Sequence, residues 1–296
     1  MEQFMFFGAM IPSALMIVAP ILIAATGGMI CERSGVVNIA LEGLMAMGAM
    51  TAAITHVLLE STTFFSIPLA LVFAMLVGGL FSLIHAFASV TLKADQVISG
   101  TGINLLSNGI TLFVCQLLFR MDRTPNYKMG MRSGLFGIYP TIWIALLILV
   151  FVWFMLYKRP WGLRLRSAGE HPQAAASAGV NVTGIRYTAV VISGLLAGLA
   201  GACIVLTQSI QFTSNVINGK GFIALAAVSF GRWLPAGILG ASVLFGVSSS
   251  LAINIINIKS LGFLPSEVFN ILPFLITLLT LVVFSKKDYA PKALGS

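Results

Sequence analysis

The sequence predicts an all-α, polytopic helical membrane protein, and three observations lead there. The 296-residue chain is 58% hydrophobic, with a mean hydropathy of +1.00. Only 9% of its residues are charged, against roughly 25% in a water-exposed domain. The apolar runs approach membrane length and do not alternate, so spanning helices rather than barrel strands satisfy the backbone in lipid.

The segments expected are 9–30, 36–58, 66–92, 96–119, 138–157, 185–209, 221–232, 234–257 and 267–285, within a single transmembrane domain covering 1–296. The first ends near Gly27 and Gly28, where an unwound stretch is expected. Its leading residues lack the basic region of a cleaved signal peptide. The second carries Glu42, an acid at depth that costs about 2.5–3.5 kcal/mol on insertion and faces the bundle interior or a cavity. Asn38 precedes it by one turn on the same face. Glu42 then lies on a polar path, touching the unwound stretch, or anchors one helix to another; the sequence leaves both open.

The third segment sets His85 between Ser82 and Ser89, the setting of a satisfied structural histidine. The fourth repeats the i, i+4 polar spacing with Asn104 and Asn108, beside Ser107. Such amides line a path or join helices. After the apolar fifth segment the pattern breaks at about 158–184. Lys158, Arg159, Arg164, Arg166 and Arg186 cluster in or beside that loop. Within it, Pro172 to Ala178 reads as a short helix, with Pro in the first position, an alanine-rich interior and Gly179 as the stop. A small helix on a basic loop reads as a docking element. A loop bound only to lipid headgroups would explain the arginines but not the helix.

The sixth segment contains SGLLAGLAGA (193–202), whose Gly194 and Gly198, followed by Ala197 and Gly201, let helix backbones approach closely. The seventh is too short to span at ~1.5 Å per residue. With a break at Gly219–Gly221 it reads as a half-helix or re-entrant piece. Phe222, Phe230 and Trp233 border it. Cys31, Cys115 and Cys203 have no paired spacing and read as small apolar fillers.

Orientation follows from the basic residues. With the N-terminus outside, the inner loops hold Arg33, Lys93, the 158–186 cluster, Arg232, Lys286, Lys287 and Lys292. The outer loops hold Arg120, Arg123, Lys128, Arg132, Lys220 and Lys259. The bias favours N-out, C-in. The net charge of +8 sits in loops rather than on one solvated face, which argues for anionic lipid and against nucleic acid.

Several ordered stretches together resemble one family: CERSGVVNIALEGLMAMGA (31–49), DQVISGTGINLLSNGIT (95–111), GLRLRSAGEHPQAAASAGVNV (162–182), SGLLAGLAGA (193–202) and GKGFIALAAVSFGRWLPAGILGA (219–241). The chain is similar to the permease subunits of ABC importers of the branched-chain amino acid and simple sugar class. ERSGVVNIALEG and GFIALAAVSFGRW look most like the nucleoside branch, although riboflavin or simple-sugar permeases would look much alike. The resemblance implies a machine in the bacterial plasma (inner) membrane. It would comprise a second, related permease, cytoplasmic ATPase subunits that hold ATP and Mg, and an external binding protein. The chain has no phosphate-binding loop motif, so it is expected to bind no cofactor and not to be an enzyme.

The resemblance also assigns roles. Arg164, Arg166, Gly169, Glu170, Pro172, Ala175 and Gly179 fall on the ATPase-coupling loop. Glu170 stands at the start of the coupling helix, where an acid favours the helix dipole by about 0.3–1 kcal/mol, and the alanine face is the packing surface. Asn38, Glu42, Asn104, Asn108 and Phe222 are candidates for the translocation path, with amides suited to a base edge or ribose hydroxyls and an aromatic ring suited to stacking. Arg120, Arg123, Lys128 and Arg132, which resist the inside bias, are candidates for receiving acidic lobes of a binding protein. A stand-alone ion-coupled transporter would need Glu42 or His85 as its coupling site. The lack of paired intramembrane charges argues against it.

Overall fold

The computed structural model describes residues 2–134, 137–255 and 289–295. Among these, helices α1 (Glu2–Arg33), α2 (Leu41–Leu59), α3 (Ser66–Ala86), α4 (Gln96–Phe119), α5 (Pro140–Lys158), α6 (Pro160–Glu170), α7 (Pro172–Ser177), α8 (Val182–Gln208), α9 (Lys220–Phe230) and α10 (Pro235–Ile255) follow in order. Among the described residues, seven helical stretches are long and apolar enough to cross a membrane: Ile11–Arg33, Leu41–Leu59, Ser66–Thr91, Gln96–Phe119, Pro140–Lys158, Val182–Gln208 and Pro235–Ile253. The ninth expected segment, 267–285, lies outside the described residues.

Local chemistry sets the helix starts. Proline opens α5, α6, α7 and α10, where its missing N–H has no helical partner to lose. The Asp95 carboxylate accepts the Val97 and Ile98 amides at 2.9 Å to cap α4. The Asn181 side chain accepts the Gly184 amide at 2.9 Å to cap α8. At the end of α3 the backbone widens into a π-helical turn, Phe87–Thr91. There the Ser89 hydroxyl donates to the His85 carbonyl at 2.6 Å, competing with the backbone for that acceptor.

α8 is the axis of the bundle, packed on α1, α2 and α3. The apolar windows of α1 and α8 are 89% and 83% buried, against 28% for α3 and α4, so the inner and outer layers are distinct. The small-residue stretch expected to pack tightly does so. A Cβ on Gly198 would overlap the Ala74 carbonyl of α3, and one on Gly48 of α2 would overlap the Gly198 backbone. Gly27 and Gly28 correct the expected unwinding: α1 is helical through both. They serve packing instead, since a Cβ on Gly27 would lie 3.1 Å from the Ser193 carbonyl and one on Gly28 would lie 3.2 Å from Leu41.

The basic loop is also more ordered than expected. Residues 160–170 form the helix α6, which buries Gly162, Leu165, Ala168 and Gly169 on one face. The segment Tyr289–Gly295 lies at the same end. The Ala293 amide donates to the Gly169 carbonyl at 2.9 Å, and the Gly295 amide donates to the Gly35 carbonyl at 3.0 Å. At the opposite end the α4–α5 connection zips against the end of α8 and the chain that follows it, with Tyr127 N–H donating to the Ile210 carbonyl and Met131 N–H to the Leu206 carbonyl.

Candidate functional site

The short seventh segment is the half of a broken span. After α8 the chain runs non-helically from the far end back into the bundle. It then turns through Asn218 and Gly219, both left-handed with φ 49° and 78°, and becomes α9. The eleven residues of α9 rise ~16 Å, about half a bilayer core. Its first amides have no helical acceptor, and Glu42 takes them: the carboxylate accepts Gly219 N–H at 2.8 Å and Gly221 N–H at 2.7 Å. The two backbones nearly touch, since a Cβ on Gly221 would lie 2.6 Å from the Glu42 Cα. Glu42 thus ties α2 to the N-terminal end of α9. Lys220, counted above with the outer loops, is carried inward by the returning chain. Its Nζ donates to the Ile217 carbonyl at 3.3 Å.

Around this cap the expected path residues divide. Asn104 joins α4 to the start of α2: its Oδ1 accepts the Gly43 amide at 2.8 Å and its Nδ2 donates to the Ile39 carbonyl at 3.0 Å. Asn38 is fully buried and donates to Ser193 of α8 at 2.8 Å. Both join elements, Asn38 fully buried and Asn104 half-buried. Asn108 and Phe222 are exposed, on α4 and α9, which flank α2. Of the other aromatics, Phe230 packs edge-on against Phe245 at 5.5 Å, and Trp233 is buried. His85 is satisfied as expected: its Nε2–H donates to the Val37 carbonyl at 2.9 Å and its Nδ1 pairs with Ser99 at 3.0 Å.

A second candidate centre is the α6–α7 end. Gly179 ends α7 in the left-handed region at φ +82°. Glu170 closes α6 rather than opening α7, whose N-cap is His171, so it stands at the unfavourable end of α6's dipole. Ala175 is 5% exposed and packs inward, because an amphipathic six-residue helix must bury one face. Gln173, Ala174, Ser177 and Ala178 remain exposed and form the presented surface. Arg164 is exposed, while Arg166 lies 4.9 Å from the Tyr157 ring centroid. Pro172 and Gln173 border a groove of about 450 Å³ shared with Lys93, Asp95 and Arg186.

At the opposite end Arg120, Arg123, Lys128 and Arg132 are all exposed. Their loop is fixed beneath them. Glu60 accepts the Lys128 and Met129 amides at 3.0 and 2.8 Å, and Tyr127 is buried with its hydroxyl donating to the Val205 and Ser209 carbonyls. Burial pushes the Tyr127 phenol above its ordinary value near 10. The folded state therefore holds this proton more tightly than the unfolded chain. Its stabilising contribution is whole below pH ~10 and is lost as pH rises further. Tyr127→Phe is expected to cost about 1–2 kcal/mol and to flatten the alkaline limb of a thermal-unfolding profile; an unchanged limb would place the titration elsewhere.

Sequence reasoning missed α6, Tyr127 and the contact between Glu32 and Trp233. The Trp233 indole N–H donates to the Glu32 carboxylate at 2.5 Å, across 201 positions of sequence. Only α6 left a signal, in the spacing of Gly162, Leu165 and Gly169.

Comparison with known proteins matches residues 10–281 to the family described as branched-chain amino acid transport system / permease component. The chain is 41% identical to the guanosine ABC transporter permease protein NupQ of Bacillus subtilis, over 96% of this chain and 94% of that one. It is 35% identical to the nucleoside ABC transporter permease protein NupC of Lactococcus lactis, over 93% and 92% respectively. Among solved structures, an inward-facing putative metal-chelate type ABC transporter shares the fold with a TM-score of 0.50 at 14% identity, covering 96% of this chain and 98% of that one.

Proposed function

The chain belongs to the branched-chain amino acid transport system / permease component family, and from that premise we propose that it forms half of a nucleoside translocation pathway. It is a multi-pass permease subunit of an ABC importer in the bacterial inner membrane, with ATP hydrolysis on a separate subunit. The observation that carries the nucleoside reading is the identity with guanosine and nucleoside permeases over nearly the whole chain. In this reading Phe222 and Asn108 face the path between this chain and a related second permease, offering a stacking ring and an amide. Glu42 and Asn104 hold the wall behind them. The N-terminus lies outside and the C-terminus inside, in accord with the basic-residue bias.

The test is uptake of labelled nucleosides, riboflavin and simple sugars by proteoliposomes holding this chain, the second permease, the ATPase and the binding protein. ATP-dependent nucleoside uptake is the expected result. Uptake of riboflavin or sugar in its place would overturn the nucleoside assignment.

The exposed face of α7 receives the ATPase. Ala174→Arg is expected to lower ATP-driven uptake by about tenfold or more while leaving the unfolding temperature of the permease unchanged; normal uptake would remove α7 from the docking surface. At the outer end Arg120, Arg123, Lys128 and Arg132 receive the binding protein, chiefly by steering it. Reversing the charge of Arg123 and Arg132 together is expected to weaken binding-protein-stimulated ATP hydrolysis most at low salt, and equal stimulation at every salt concentration would count against the site.

A further inference from the structure

α9 is suspended between two left-handed turns. Asn218 and Gly219 precede it, and Arg232 and Trp233 follow it with φ 54° and 52°. Bulky residues occupy that region only where their surroundings hold them there. Each turn is pinned by a carboxylate from another helix. Glu42 of α2 holds the first through Gly219 and Gly221. Glu32 of α1, only 5% exposed, holds the second through the Trp233 indole N–H at 2.5 Å. The neighbouring Arg33 adds two bonds, with Nε and Nη2 donating to the Trp233 carbonyl at 3.1 and 3.0 Å.

The end of α1 that supplies these groups is also packed against α6. A Cβ on Gly169 would overlap the Arg33 carbonyl. A second route joins the same elements: the Ala293 amide donates to the Gly169 carbonyl at 2.9 Å, and the Arg232 guanidinium stacks over Tyr289 at 4.5 Å. The helix beside the presented α7 surface is thus linked, through Arg33 and through the 289–295 segment, to the turn that terminates the half-helix.

We propose that Glu32 and Trp233 form a latch that sets the position of α9, and that displacement of α6 reaches α9 through Arg33 and this latch. Both are positioning residues. When the indole bond breaks, the Arg232–Trp233 turn loses its anchor to Glu32 and keeps only Arg33, and α9 swings about Asn218–Gly219 with Phe222 on its exposed side. The proposal rests on the permease reading for what drives α6; the latch stands on the contacts alone.

Hydrogen exchange of the assembled transporter in lipid nanodiscs tests it. Trp233→Phe keeps the ring and removes the N–H. It is expected to speed exchange across Gly219–Leu234 by about tenfold, with α2 and α8 unchanged. Glu32→Gln, which keeps an acceptor oxygen, is expected to stay within about twofold of the native protein. Gly169→Ala is expected to speed α9 exchange from a distance. Native-like protection of α9 in Trp233→Phe, an equal rise across α2, α8 and α9, or a Glu32→Gln response as large as that of Trp233→Phe would overturn the latch. Labelled guanosine uptake on the same samples separates the two readings. A selective α9 response without any uptake by the native transporter would overturn the transport reading and support the latch. Normal uptake with an inert Trp233→Phe would overturn the latch alone.

Discussion

Gly198→Leu is expected to prevent the bundle from assembling, at a cost above about 3 kcal/mol. The residue sits where α8 is squeezed between α2 and α3. A Cβ there would overlap the Ala74 carbonyl, and the Gly48 backbone approaches from the other side. Both neighbours are main chain, so no rotamer change relieves the overlap. One helix must move away, and neither can without losing the close packing that holds helices together in lipid, where hydrophobic burial between them supplies little. The readout is the yield and thermal stability of monodisperse protein in detergent. Gly102→Leu on exposed α4, where an added Cβ would meet nothing within 4 Å, is the control and is expected to behave as native. Recovery of a stable Gly198→Leu protein would show that α8 is not the packing axis.

Glu42→Ala is expected to be the most damaging change at the candidate path. It removes a charged acceptor from two interior backbone amides at once. Hydrogen bonds to a carboxylate contribute roughly 1.5–3 kcal/mol each, so losing both is expected to cost about 3–6 kcal/mol. The loss concentrates in α9, and uptake should fall by about tenfold or more. Glu42→Gln separates an anchor from a proton-coupling site. An amide oxygen still accepts one N–H, so an anchor predicts partial uptake that is insensitive to collapse of the proton gradient while ATP is held constant. Complete loss in Glu42→Gln, with native uptake that needs the gradient, would make Glu42 a coupling residue and overturn the ATP-driven reading.

The spans were legible because a membrane crossing demands a run of apolar side chains, and α4 begins and ends where its sequence segment does. The start of α7 at Pro172 was legible for the same local reason: proline acts within a turn of itself. What failed was non-local or ambiguous. Gly27 and Gly28 suggested a break because glycine frees the backbone, yet against α8 and α2 the same lack of a side chain serves close packing. α6 was lost in its charge: Arg164 and Arg166 drew attention to a loop while Gly162, Leu165 and Gly169 marked a buried helical face. Ala175 looked like part of a uniform alanine surface, and only the fold shows which alanine faces inward. Asn38 and Asn104 carried a polar signal that reads the same for an amide joining helices as for one lining a path, so their bonds to Ser193, Gly43 and Ile39 were not legible. The pairing of Glu32 with Trp233 left no signal, since it exists only after α1 and the turn between α9 and α10 have come together.

The broken span has a consequence for how the protein is made. Eleven residues of α9 are too few to be recognised by the insertion machinery as a crossing, which needs about 20. The non-helical stretch ahead of it would expose bare amides to lipid if it entered alone. Its acceptor, Glu42, lies 177 residues earlier in the chain and is already in the membrane when Gly219 emerges from the ribosome. α9 is therefore a late guest in a bundle built by the preceding helices, its crossing a folding event that follows insertion.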